Sequence, residues 1–302
     1  MALLPSRDGF EALVTSGKGE VMKIAVTGST GLFGHGLVEV ISRRHTVFSV
    51  GRAEADITRF DEVRTAFLRW RPDVVVHAAA IPNPDVCETD PALAYLVNFH
   101  GTRHVAEAAK EVGAAVAYIS TDAVYDGEKN APYVETDRAI SPTVYGRTKL
   151  RGERLVAALP TYWIFRVCVL FGPGKANFID KGLRALAAGQ PYVVASDQVG
   201  NALYTLDGAE KILEVVEHGR PGLYHLTNRG TCSRHELAKY AAEKAGIDPG
   251  KLAGVPSDQM GRPARRLKYS VLEMRALKEA GFQLPRPWQD AMDDYLGTLL
   301  PL

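Results

Sequence analysis

The sequence predicts an α/β fold built on a doubly wound parallel sheet, and three observations carry that reading. The first is a strand, a glycine-punctuated turn and a helix in immediate succession from Lys23 to Val40. The second is the alternation of short apolar runs with helically spaced ones that continues beyond this unit. The third is a composition of 46% apolar and 24% charged residues over 302 positions, ordinary for a chain with a substantial core. That length suits one large domain or two smaller ones. A net charge of +1 gives no reason to expect nucleic acid or an anionic membrane as partner. No apolar run approaches the length of a membrane span. Cys87, Cys168 and Cys232 are odd in number and lack metal-ligand spacing. They read as reduced thiols of a cytoplasmic protein, with neither a disulfide framework nor a metal site.

Residues 1–22 precede the first strand and form no clear amphipathic pattern. Ala2–Leu4 are too few for a signal-peptide core, and Met22 stands where a start could lie. The segment is expected to be an extension outside the fold.

Ile24–Val26 form the first buried strand. Gly28, Gly31 and Gly34 then turn the chain, and Leu32, Phe33, Leu37, Val38 and Ile41 recur at helical spacing. This order gathers free backbone N–H groups and the positive end of a helix at one point, which suits a pyrophosphate. The spacing Gly-x-x-Gly-x-x-Gly is one residue wider at its start than the dinucleotide fingerprint. Gly28, Thr30, Gly31, Leu32, Phe33 and Gly34 are the candidate contacts. Thr46–Val50 makes a second strand ending in Gly51-Arg52. An acid there would hold the ribose hydroxyls of NAD, whereas arginine pairs a 2′-phosphate. With Arg52 and no acid at the tip, NADPH is preferred and NADH is left open.

Phe60–Trp70 is helical and is stopped by Pro72; Val74–Val76 is the third strand. His77 at its end is a lone histidine, read as satisfying local hydrogen bonds. Ala78, Ala79 and Ala80 are small enough for a ligand to approach the backbone. One long helix is expected from Pro91 through Val112, with Asn98 on it, and Ala115–Ile119 is the fourth strand. Ligands of such a sheet lie at the strands' carboxyl ends.

The chemistry concentrates after that fourth strand. In Ser120-Thr121-Asp122 a hydroxyl points into the crevice where the dinucleotide would lie. Pro142 reads as the first turn of a helix on which Tyr145 and Lys149 share a face at i and i+4. A tyrosine with pKa about 10 responds poorly at neutral pH. A cation within about 4–6 Å favours the phenolate, so Lys149 is expected to lower the pKa of Tyr145. Thr121 would then hold a substrate carbonyl while hydride arrives from a nicotinamide.

Farther on, Thr161–Val169 reads as a fifth strand, and Asn177-Phe178 opens a helix that ends at Gly189. Leu223–Leu226 reads as a strand, and Ser233 as the N-cap of a helix from His235 to Ala245. Arg262, Arg265 and Arg266 concentrate forked donors suited to a diphosphate. Trp288 and Tyr295 read as core or interface residues.

The motifs Thr27–Gly34, Ser120–Gly127, Val144–Lys149, Phe171–Gly174 and Asp197–Gly200 together resemble the extended short-chain dehydrogenases/reductases, most closely the dTDP-4-dehydrorhamnose reductase family. The resemblance runs from Lys23 almost to the end of the chain. It implies a Rossmann domain over 23–170 and, over 171–302, a mainly substrate-binding, discontinuous lobe with segments returning to the sheet. It implies Tyr145 as proton donor, Lys149 as its pKa modulator and nicotinamide-ribose ligand, and Thr121 as the hydroxyl that polarises the carbonyl. Asn98 matches the structural amide of the proton relay, and Asp56 and Ile57 match the pair beside the adenine. Ser120 and Val167 join the expected cofactor contacts. Asp122, Asn177, Gln198 and Arg262, with Thr121 and Tyr145, are the expected substrate contacts. Ala123 stands where the superfamily's dehydratases carry a glutamate, so dehydration is disfavoured. Asn201–Thr205 departs from the proline and threonine that the family commonly carries after the Asp197–Gly200 motif. The expected reaction is NADPH-dependent reduction of a 4-keto group on a nucleotide-linked 6-deoxysugar. Two alternatives stand beside it: an NAD-dependent epimerase, and a non-catalytic NADP-binding regulatory subunit resembling that of methionine adenosyltransferase. A nucleotide sugar is the expected partner, and a homodimer is left open.

Overall fold

The computed structural model describes residues 21–299; the expectation for residues 1–20 lies outside the described residues. β1 (Lys23–Thr27) is buried from Ile24 onward and leads through the glycine turn into α1 (Leu32–Ile41). β2 (Thr46–Val50), α2 (Phe60–Trp70) and β3 (Val74–His77) follow where the periodicity predicts them. β3 is buried at every position, as a central parallel strand is.

A short helix, α3 (Pro84–Thr89), comes next. The single helix expected from Pro91 to Val112 is interrupted. α4 (Pro91–Tyr95) passes into a π-helical turn over Leu96–Gly101, and α5 (Thr102–Val112) resumes the ordinary pitch. The π turn holds Asn98; such insertions are frequent at functional sites. β4 (Ala115–Thr121), α6 (Val144–Val156) and β5 (Tyr162–Val167) follow. Pro142 lies outside α6: Thr143 is the cap, its side chain accepting the Gly146 N–H at 3.1 Å.

Past Val167 the strands shorten. β6 (Val169–Phe171), α7 (Phe178–Ala187), β7 (Tyr192–Ala195), β8 (Val199–Gly200), β9 (Ala202–Tyr204) and α8 (Thr205–His218) precede β10 (Gly222–Leu226). β11 (Cys232–Ser233), α9 (Arg234–Lys244), β12 (Leu252–Val255), α10 (Arg275–Glu279) and α11 (Trp288–Leu299) close the described chain. The expected strand to Val169 breaks at Cys168, because Val169–Phe171 pairs with β9 instead of continuing along β4.

The main sheet has six strands in the order β10-β5-β4-β3-β1-β2, all neighbours parallel. The chain leaves β1 outward to β2 and then returns across it to β3. This makes a topological switch point between β1 and β3, where doubly wound sheets take their ligands. The other strands form two-stranded ribbons: β6 with β9 and β7 with β12 in parallel, β8 with β11 antiparallel.

Three apolar clusters hold this together. On one face of the sheet Leu37 and Ile41 of α1 and Ile212 of α8 pack on Val26 and Val76. On the other, Val63 and Phe67 of α2 and Val105 of α5 pack on Ala25, Val75 and Val116. The third unites Ile179 and Leu183 of α7, Leu237 of α9, and Trp288 and Tyr295 of α11, so Trp288 and Tyr295 are core residues. Among the described residues no helix is long and apolar enough to cross a membrane.

Candidate active site

The glycine turn and the end of β3 meet at the switch point. Gly28 has φ +70°, and a Cβ there would lie 2.7 Å from the Ala79 backbone and 2.9 Å from that of Ala78. No side chain caps α1, and its first turn carries no acid. The first-turn N–H groups and the positive helix end therefore stay available to an anion. A cradle that any Cβ would fill, with free donors behind it, fits a dinucleotide pyrophosphate. A cavity of about 720 Å³ opens from this point, within the usual range for small-molecule sites. Gly31, Leu32, Phe33, Gly34, Ala78 and Ala80 line it.

Toward the expected adenine end, one reading needs correction. The tip of β2 does carry an acid. Glu54 turns back so that its Oε2 accepts the Gly51 N–H at 2.8 Å. Three residues away in sequence and held only by the fold of the turn, it escapes a scan for an acid at the strand end. The Arg52 side chain is 82% exposed and lies 3.7 Å from Asp56. Thr30 is exposed, its methyl close to Gly51. Asp56 is spent locally, its Oδ1 accepting the Thr58 N–H and hydroxyl at 2.9 and 2.8 Å. Ile57 is buried against Gly101. None of Thr30, Arg52, Asp56 and Ile57 lines the cavity.

Thr121, Tyr145 and Lys149 come together on the cavity wall. A Cβ at Gly146 would sit 2.0 Å from the Ala123 carbonyl oxygen and 2.1 Å from Ser141 Oγ. Only glycine therefore lets the start of α6 press onto the turn after β4, bringing Tyr145 beside Thr121. The Thr121 hydroxyl donates to Asp122 Oδ1 at 3.0 Å and accepts the Ala123 N–H at 3.1 Å. Asp122 Oδ2 accepts from Ser270 at 2.7 Å, and burial raises its pKa.

The expected charge relation between Tyr145 and Lys149 is also corrected. Burial pushes the Tyr145 phenol up, and the neighbouring Thr121 hydroxyl only partly opposes it. Burial pulls the Lys149 ammonium down to about 7, with Glu153 acting the other way. Lys149 Nζ lies 4.0 Å from the centre of the Tyr118 ring. In the protein alone desolvation dominates, so Tyr145 is held as the protonated phenol, which is the form a proton donor needs.

Behind this wall runs a buried polar network. Glu153 accepts from Ser120 Oγ at 2.5 Å and from Arg166 at 2.9 and 2.7 Å. Arg166 also donates to Tyr125 at 2.6 Å, and Tyr125 bonds His225 at 2.7 Å. The Ser120 hydroxyl, expected to face the cofactor, is committed to Glu153. Asn98 is fully buried; its Oδ1 accepts the Ile81 N–H at 2.7 Å, and its Nδ2 donates to Ile81 O and Thr148 Oγ1, both at 3.2 Å. It braces the wall from behind and does not line the cavity, so direct cofactor contact is corrected to a structural role. His77 is fully buried between Thr27 and Thr102 hydroxyls at 2.6 and 3.0 Å, and burial lowers its pKa to about 3. It stays neutral and structural.

The far wall comes from the later segments. Gln198 lines the cavity, and its buried Nε2 has no hydrogen-bond partner. Arg262 is exposed at the rim, while Arg266 pairs with Asp85 at 2.6 Å and Arg265 with Glu128. Val167 lines the base. Asn177 does not reach the cavity: its side chain caps α7 at Ile179 N and donates to Gly172 O and Tyr295 Oη, so its polar atoms are consumed. Arg234, at the start of α9, lines the cavity and was not expected; a lone arginine after a helix cap has no sequence signature. Among the described residues no group of three His, Cys, Asp or Glu could hold a metal ion.

This geometry has known counterparts. A family model described as the RmlD substrate binding domain matches residues 22–300. The chain is 38% identical over 282 residues to the dTDP-4-dehydrorhamnose reductase of Streptomyces griseus, covering 91% of this chain and 93% of that one. It is 35% identical to the spore coat polysaccharide biosynthesis protein SpsK of Bacillus subtilis, covering 91% and 96%. Among solved structures, a dTDP-4-dehydrorhamnose reductase from Clostridium acetobutylicum superimposes with TM-score 0.87 at 34% identity, covering 92% and 99% of the two chains. The Bacillus anthracis dTDP-4-dehydrorhamnose reductase in complex with NADP gives 0.89 at 29% identity, covering 92% and 100%. The chain belongs to the dTDP-4-dehydrorhamnose reductase family of extended short-chain dehydrogenases/reductases.

Proposed function

We propose that the protein reduces the 4-keto group of a nucleotide-linked 6-deoxysugar with NADPH. One observation carries this: a glycine cradle, a strand-end hydroxyl and a Tyr–Lys pair open on one cavity, in a chain whose relatives are named as reductases of this class. NADPH, when bound, supplies the hydride. The α1 N-terminus would hold its pyrophosphate, and Arg52 its 2′-phosphate. Thr121 would turn from Asp122 to donate to the carbonyl oxygen, which gains negative charge as reduction proceeds. Tyr145, kept protonated by burial, would give that oxygen its proton, and the Lys149 ammonium would steady the phenolate left behind. Asn98, Glu153 and Ser120 hold these groups in place.

The division near residue 170 belongs to the same reading: residues 23–170 bind the dinucleotide, and the later segments, apart from those that return to the main sheet such as α8 and β10, choose the sugar. The buried free thiols of Cys87, Cys168 and Cys232 support the expected cytoplasmic location. Mixing the protein with NADPH and a panel of nucleotide-linked 4-keto-6-deoxysugars tests the activity. Cofactor oxidation with at least one is expected, and its absence across the panel, with NADPH bound, would overturn the proposal in favour of a binding role.

A further inference from the structure

Arg234 stands apart from the other arginines of the cavity. Arg265 and Arg266 are ion-paired to Glu128 and Asp85, and Arg262 is exposed at the rim. Arg234 is half-buried within the cavity, its guanidinium 5.4 Å from the centre of the Phe178 ring. No carboxylate among the described residues lies within ion-pair distance of it. Asp122, whose charge acts on it, has its oxygens engaged by Thr121 and Ser270. The adjacent thiols offer no counter-charge, since burial holds Cys168 and Cys232 protonated. The helix it opens is already capped by Ser233 and Glu236, so the free charge at this point is the guanidinium's own.

A second orphan lines the same cavity. β8 and β11 pair antiparallel, Gly200 opposite Cys232 and Val199 opposite Ser233. Gln198, just before β8, and Arg234, just after β11, therefore leave the ribbon at the same end. Gln198 Nε2 is buried without a partner. A half-buried guanidinium with no ion-pair partner and a buried, unsatisfied amide N–H on one wall are both served by one acceptor that meets them. An anionic acceptor suits this wall, because its cation has no ion-pair partner among the described residues.

We propose that Arg234, with Gln198, binds the sugar-linked phosphate of the nucleotide-sugar diphosphate and is a specificity-determining residue of the site. This rests on the function proposed above. Arg234 lies in the field of Asp122, the residue after Thr121. With a sugar carbonyl at Thr121 and Tyr145, the first charged group beyond the ring is the phosphate on its anomeric carbon. Arg262, at the rim, is left for groups nearer the nucleoside.

Calorimetric titration of the full chain with dTDP, UDP and GDP, the corresponding monophosphates, and NADPH tests this. Arg234→Ala should weaken the preferred diphosphate by roughly 10- to 100-fold, the loss of charge-assisted hydrogen bonds. The monophosphate, which lacks the outer phosphate, and NADPH should change by no more than about twofold, the scatter of a side chain that does not touch them. Arg234→Lys keeps the charge without the fork and should fall between. In turnover the loss should appear in KM, with kcat largely kept. Unchanged diphosphate affinity, or equal losses for monophosphate and diphosphate, would overturn the assignment. If Arg234→Ala also loses NADPH, its fold is disturbed and Arg234→Lys decides by the same criteria. A wild-type protein that reduces keto sugars while Arg234→Ala keeps its diphosphate affinity sinks only this inference. A wild-type protein that neither binds a nucleoside diphosphate nor turns over sinks the proposed function with it.

Discussion

The two walls of the cavity are made in different ways. The sheet wall takes its reactive side chains from strand ends and one helix start, and braces them with a buried network: Glu153, Arg166, Ser120, Tyr125 and His225 bond one another. The opposite wall is assembled from the segment before α7, the β8 strand, the start of α9 and the arginine loop, separated by up to about a third of the chain. Of its polar groups, Gln198 has a buried amide N–H without a partner and Arg234 has no ion-pair partner among the described residues. A wall whose groups satisfy one another can fix geometry, and a wall whose groups do not is built to be completed by a ligand. On the proposed function, the sheet wall would serve the reaction and the other wall the choice of substrate.

The largest effect should come from the sheet wall's reacting end. Tyr145→Phe removes the proposed proton donor and leaves the ring. The rate of keto-sugar reduction should fall roughly 10²- to 10⁴-fold, the usual worth of general acid catalysis, while NADPH affinity stays close to wild type. A residual rate near wild type would move the chemistry away from this wall and break the comparison.

The next test sets bracing against capping. Glu153→Ala strands Arg166, buried to 4% exposure, without its partner, which should cost about 3–5 kcal/mol of stability in urea unfolding. Asn177→Ala on the other side removes a helix cap and a bond to Tyr295, and should cost about 1–2 kcal/mol. Equal costs would mean that the two walls are braced alike.

These contrasts explain what could be read from the sequence. The sheet wall was legible because each piece has a local signature: apolar strand runs, glycines at a turn, Tyr and Lys one helical turn apart. The interruption over Leu96–Gly101 was not, since a π turn keeps nearly the same apolar spacing as the helix on either side. Asn177 was read as a substrate contact because nothing local reveals that Tyr295, 118 positions away, takes its amide. Arg234 was missed for the matching reason: its meaning lies in the carboxylates it does not meet. Burial was the other blind spot. The spacing of Tyr145 and Lys149 suggested a lowered phenol, whereas desolvation reverses the sign in the protein alone.

That reversal can be measured. Burial takes Lys149 from 10.5 to about 7, below its value in the unfolded chain. Below pH about 7 the lysine is charged in both states, and the folded protein carries the full burial cost. Between about 7 and 10.5 the folded state releases its proton first, so this group's contribution to stability rises with pH across that window, by up to about 1.4 kcal/mol per unit. Lys149→Met should flatten the rise relative to wild type in urea midpoints measured from pH 6 to 10. Parallel curves for the two proteins would show that the sheet wall does not carry its charge at this cost.

The smallest effect lies at the tip of β2, where the comparison is least sharp, because here the sheet side also exposes a cation, held only by a loose pair with Asp56 at 3.7 Å. Arg52 is 82% exposed and Glu54 is drawn onto Gly51 beside it, so a 2′-phosphate meets one attractive and one repulsive charge. Arg52→Ala should weaken NADPH roughly fivefold, the upper end for an exposed charge pair, and hardly affect NADH. Glu54→Gln keeps an acceptor for the Gly51 N–H while removing the charge, so it should tighten NADPH by a similar or smaller factor. Fluorescence titration of both cofactors against both variants measures this. Equal changes for NADPH and NADH in either variant would mean that the tip does not read the 2′-phosphate. Opposite changes in the two variants, confined to NADPH, would make this strand end a place where the sheet side selects a ligand by unsatisfied charge, as Arg234 does across the cavity.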